Sequence, residues 1–170
     1  MLLSVSITLL LYGYYSLINK MAVNKSSEGV SINANILSIT ASIVTLILAE
    51  SSEIVLLSIM SLFGSVISLG LNIYLKKKNN ETMYSESIKN LFTSAIFSIF
   101  MIYGVAQAFK SYSMKEKTDN VSARAYSIFL LSMSLNIYYA INGFVLAAAI
   151  ISCFVYIYII YRIYNKKSLI

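Results

Sequence analysis

The chain has no proline, no tryptophan and no histidine, and it holds a single cysteine. Each absence excludes something. Without proline, its helices lack the commonest cause of a sharp kink. Without histidine, and with Cys153 alone inside an apolar run, a zinc or haem site has almost no conventional ligands and no disulfide framework can form. No cofactor is expected. Charge is sparse as well, with 12% of the residues being Asp, Glu, Lys or Arg. Apart from Arg162, which lies close enough to a run's end to snorkel, none of these lies deep within an apolar run. Proton and ion relays in membranes use buried ionisable groups. A proton-coupled pump and a carrier of strongly charged solutes are therefore both disfavoured. The sequence offers no nucleophile–base pair, phosphate loop or metal cluster, so no enzyme is expected.

What is present is apolar. Hydrophobic residues make up 58% of the 170, and the mean hydropathy is +0.76. A helix needs roughly 20 apolar residues to cross the hydrocarbon. Runs at 2–19, 31–49, 54–75, 91–109, 125–141 and 144–164 predict an all-α integral membrane protein with six transmembrane helices, multi-pass and in the cell membrane. Lipid cannot satisfy open backbone groups, and the runs are too long for barrel strands. The first run lacks a basic leader and a small-x-small cleavage site, which predicts a retained helix. Net charge is +6, from 13 Lys and Arg against 7 Asp and Glu. In a soluble protein that excess would raise the question of nucleic acid. Here the basic residues flank helices, where they meet water and headgroups, so the expected partner is the lipid bilayer and not nucleic acid. Ser61, Gly64, Ser65 and Ser68 form overlapping small-x-x-x-small pairs, and Ala147 to Ala149 are small too. Packing within one chain explains them more simply than a dimer motif, and a homo-oligomer stays open.

The stretch 103–140 has an echo in the first half. Tyr12-Gly13 recurs as Tyr103-Gly104, 91 residues on. Val30-Ser31 followed by Ala34 recurs as Val121-Ser122 followed by Ala125, again 91 on. Ile73-Tyr74 with Lys76-Lys77 recurs as Ile163-Tyr164 with Lys166-Lys167, 90 on. This predicts two three-helix repeats, 1–78 and 91–170, joined by a polar connector at 79–90.

Charge then poses a puzzle. In each unit basic residues follow the first and third helices, so each unit alone asks for the same orientation. Three is odd, so units joined directly would be inverted. The connector cannot cross as extended chain, because its bare backbone and two glutamates would sit in hydrocarbon. With six spans and the amino terminus outside, the inside holds Lys20, Lys25, Lys76, Lys77, Lys78 and Lys89. The outside holds Lys110, Lys115, Lys117, Arg124, Arg162, Lys166 and Lys167. The bias nearly vanishes, as antiparallel repeats or dual insertion would produce.

The loops add a resemblance. Lys25-Ser26-Ser27-Glu28-Gly29-Val30-Ser31 and Lys117-Thr118-Asp119-Asn120-Val121-Ser122, each after the first helix of a unit of about 90 residues, resemble the PQ-loop superfamily, which includes the SWEET and SemiSWEET sugar transporters. Ala106-Gln107 stands where that family has Pro-Gln, and Tyr15-Ser16 stands there in the first unit. The hinge proline is missing from both units, and so is the linker helix of two-unit SWEETs. The family's pocket Trp is absent, and Asn136 falls close to its place. Its pocket Asn would fall near Ser58 and Ala148. The resemblance implies a facilitator of a small neutral solute such as a sugar, working by alternating access around a site between the repeats.

Four residues are candidate solute ligands. Asn136 is near mid-span in the fifth helix, where an amide needs a partner or a wet cavity; an interhelical bond would serve equally. Gln107 is next, with interfacial solvation as its alternative. Tyr139, beside Tyr138, could stack on a sugar face or belong to an aromatic belt. Ser58 enters through the resemblance alone. The alternative function is a non-transporting membrane subunit or accessory protein, with the Ser-rich helices serving only packing. A wet midplane cavity lined by Asn136 and Gln107 would favour transport, and a dry bundle the accessory role.

Overall fold

The computed structural model describes residues 2–47, 52–80, 88–99, 104–113, 120–139 and 143–165. Among these the chain is helical and has no strand. The helices are α1 (Leu2–Asn24), α2 (Ile32–Ile47), α3 (Ser52–Lys78), α4 (Ile88–Ile99), α5 (Val105–Ser113), α6 (Ala123–Tyr139) and α7 (Gly143–Asn165).

Their ends are set locally. α1 stops where Lys25 takes a left-handed φ of 51°. Lys25 N–H then bonds Ala22 O and Ser26 N–H bonds Met21 O, a Schellman closure with lysine where glycine is usual. Ser31 starts α2 and Ser122 starts α6. Each hydroxyl accepts the backbone N–H three residues on, Ala34 and Ala125, at 3.1 Å in both cases, and so satisfies an orphan donor of the first turn.

Six full-length spans are not what these residues show. Two helical stretches, Val55–Lys78 and Leu146–Asn165, are long and apolar enough to cross a membrane. α2 and α6 are shorter. The predicted fourth span at 91–109 is not one helix. It is α4 and α5, with Gly104 at φ 87° between them, a conformation that glycine adopts without steric cost. Gly13, in the matching Tyr-Gly, stays inside α1.

In the first half α3 packs on both α1 and α2, while among the described residues the α1 and α2 backbones stay apart and touch through the Tyr14 hydroxyl and Ser38. In the second half α7 packs on both α5 and α6, and among the described residues the α5 and α6 backbones stay apart. Across the halves α1 packs on α6, and α2 on α4 and α5. The first helix of each half thus meets the second of the other. The units are parallel, not inverted. Asn24, the last residue of α1, and Ser26 just after it bond Asn120, before α6. Asn79, after α3, bonds Lys25 O, and Arg162, near the end of α7, bonds Ser111 O on α5. The described parts of both basic loops therefore lie at one end of the molecule, the basic end.

The apolar core gathers near that end, where Leu17, Met21, Val30, Leu75, Val121, Ile159 and Ile163 pack together. Elsewhere the usual pattern is reversed. On α3 the buried positions include Ser58, Ser65, Ser68 and Asn72, while Phe63, Val66, Ile67 and Tyr74 face outward. Phe92, Phe154 and Tyr161 are likewise exposed. In water each such side chain would forgo about 1.5–3 kcal/mol of burial.

Candidate functional site

The densest polar grouping lies inside the first unit, between α1, α2 and α3. It arises from spacing. Ser58, Ser61, Ser65, Ser68 and Asn72 recur at three or four residues along α3, and Asn35, Ser38 and Ser42 do so along α2, so each set lines one face. The two faces meet as a seam. Ser42 donates to Ser61 Oγ at 2.9 Å, Ser38 and Ser65 share a bond of 2.8 Å, and Ser68 donates to Asn35 Oδ1 at 3.2 Å. Tyr14 of α1 inserts its hydroxyl among Ser65, Ser38 and Ser61, at 2.8, 3.2 and 3.3 Å. Its ring lies against Gly64 on one side and edge-on to Phe129 of α6, centroids 5.2 Å apart.

Two amide atoms in this seam are buried without a partner among the described residues, Asn35 Nδ2 and Asn72 Oδ1. Asn35 is 6% exposed and Asn72 fully buried. One is a donor and the other an acceptor, and a hydroxyl can serve both. Above them Asn72 Nδ2 reaches Val30 O, and Lys76 Nζ donates to Ser27 O. The bonds along the seam itself run between hydroxyls and amides.

A second polar group joins the units. Gln107 of α5 is 1% exposed. Its Oε1 accepts Ser31 N–H at 2.8 Å, and its Nε2 donates to Gly29 O at 2.9 Å and Ser111 Oγ at 3.2 Å. Ser16, at the matching position of α1, bonds Ser122 Oγ at 3.0 Å. So each unit reaches the Val-Ser loop of the other. Ser6 and Ser132 meet at 3.5 Å further along the same α1–α6 contact.

Of the sequence candidates, Gln107 and Ser58 fall in different polar groups. Gln107 is a clamp on a loop, with both amide hydrogens engaged. Ser58 is buried on α3, fourteen residues before Asn72, or about 21 Å along the helix. Asn136, Tyr138 and Tyr139 belong to α6, but their side chains lie outside the described residues. Tyr14, Asn35 and Asn72 were not among the candidates. The serine period on α3 is visible in the sequence, but it reads there as a small-residue packing stripe. Only the arrival of Asn35 and Tyr14 from other helices makes it a hydrogen-bonded seam.

No family model, no curated protein and no solved structure matches the chain.

Proposed function

We propose that the chain is a multi-pass protein of the cell membrane that facilitates passage of a small neutral polar solute, such as a sugar, by alternating access of two three-helix repeats, as in PQ-loop transporters, along a path that includes the seam within the first repeat. The membrane part is supported by the reversed pattern of burial, because outward Phe, Ile and Tyr around inward Ser and Asn suit an apolar solvent. The repeats are supported by the shared packing order and by Gln107–Ser31 standing opposite Ser16–Ser122. The observation that carries the solute reading is the uncharged seam with Asn35 Nδ2 and Asn72 Oδ1 unpartnered, since such groups mark a place for a hydroxyl-bearing guest. Asn136, Tyr139 and Ser58 are proposed as further contacts along the path, with Gln107 holding the loop at its end.

The test is uptake of labelled neutral sugars and polyols into proteoliposomes. Wild type should accumulate at least one of them, and Asn35→Ala and Asn72→Ala should each lower its rate about tenfold or more, the loss of roughly one good hydrogen bond to bound solute. The saturated bonding of Gln107 favours a second reading, a static accessory subunit. That reading gains if no solute enters and Asn72→Leu raises the melting temperature, as expected when a half-satisfied buried amide becomes apolar.

A further inference from the structure

We infer that, in a membrane, α4 and α5 form a re-entrant pair that enters and leaves at the basic end, so that the chain crosses five times and turns its basic end to the anionic headgroups of one leaflet. The inference rests on the membrane reading above, but not on transport. It begins from reach. α3 ends at the basic end, where Asn79 bonds Lys25 O. From Asn80 to Ile88 there are eight residue steps, at most roughly 29 Å of extended chain. Were α4 and α5 one crossing, Ile88 would lie twenty-five residues below Ser113, about 37 Å from that end. The chain cannot cover that distance. Contacts agree with the reach. α5 runs beside α7 toward the basic end, from Gly104 at Tyr156 to Ser111 at Arg162. A helix continuing α5 downward would stay beside α7. Instead α4 packs on α2 and on α5, and among the described residues its backbone does not come close to that of α7. Non-crossing helices of this kind are tolerated at membrane depth where protein or a wet cavity shields them.

The consequence is one-sided charge. Lys20, Lys25, Lys77, Lys78 and Arg124 are exposed at the basic end, beside Glu28 of the first loop. Arg124 lies over the Tyr12 ring at 5.0 Å and Lys78 over Tyr74 at 5.9 Å, cation–aromatic pairs suited to a headgroup layer. Lys and Arg bias sets orientation, and an anionic leaflet attracts such clusters. The basic end therefore faces the cytoplasm.

Topology reporters fused separately to the two ends of the full chain test this. The expected result is a carbonate-resistant membrane protein with the amino-terminal reporter outside and the carboxyl-terminal reporter in the cytoplasm. Both reporters on one side would show an even number of crossings and overturn the inference while sparing the membrane reading. Recovery of the chain in the soluble fraction would overturn both. Combined Lys77→Gln, Lys78→Gln and Arg124→Gln should turn a one-sided population into a mixed one; an unchanged orientation would remove the headgroup role.

Discussion

Gly64 and Gly70 lie on one helix, and the same substitution should move them in opposite directions. A Cβ at Gly64 would fall on Tyr14 Cγ and Cδ2, closer than van der Waals contact allows. That ring cannot retreat easily, because Phe129 and three seam hydroxyls hold it. Gly64→Ala should therefore cost about 1–3 kcal/mol through overpacking. Nothing lies within 4 Å of a Cβ at Gly70, so Gly70→Ala should add about 0.5–1 kcal/mol by removing backbone freedom from the unfolded chain. Melting in detergent checks both, and equal shifts would mean that Tyr14 does not pack on Gly64. At Gln107, Ala removes the acceptor of Ser31 N–H and the donor to Gly29 O at a buried site, which should cost about 2–4 kcal/mol. Gln107→Glu should fare no better, since its carboxylate would face Gly29 O with no hydrogen to give. The polarity of Gln107 was legible in the sequence; its partners, 76 and 78 residues away, were not.

At the scale of elements, the Val-Ser pairs act where the sequence places them. Ser31→Ala and Ser122→Ala should each cost about 1 kcal/mol, the loss of an N-cap. The two caps have the same geometry, Ser122→Ala also removes the bond to Ser16 Oγ, and urea titration of each variant would show the losses. Lys25, at positive φ, should respond to Lys25→Gly with a gain of about 1 kcal/mol, since glycine occupies that region without a Cβ clash. Gly104 is the converse. Its φ of 87° and the Tyr156 ring, which a Cβ there would meet at 2.8 Å, mean that Gly104→Ala should lose more than about 1 kcal/mol. The break there was not legible. Tyr-Gly occurs at both 12–13 and 103–104, and only the packing around each decides whether the helix continues. Gly13 is pressed by Phe129 within a continuing α1, and Gly104 by Tyr156 at the break between α4 and α5.

For the whole molecule, the contact between α1 and α6 offers a lock. Ser16 and Ser122 are 3.0 Å apart between oxygens, close enough for a disulfide to be attempted. In a Cys153→Ser background, Ser16→Cys with Ser122→Cys should crosslink under mild oxidation. If the units rock against each other during transport, uptake should fall to the background rate and return on reduction. Uptake that continues through a complete crosslink would exclude rocking at this contact. The lock also tests how the halves are set, because inverted units would hold these two positions at opposite ends.

Composition and periodicity alone determined that the chain is helical and where its basic loops fall, because those properties depend on residues close in sequence. Apolar length and a run of lysines act locally. Whether the halves run parallel or inverted was beyond that reach. Counting spans gives inversion, on the premise that the run 91–109 crosses once. Tertiary packing decided otherwise, since Gly104 breaks that run, α4 lies on α2, and Asn120 meets Asn24. The seam follows the same rule. Serines spaced along α3 were visible, but a hydrogen bond needs a partner in space, and Tyr14, Asn35 and Ser38 arrive from helices whose positions only the folded chain fixes.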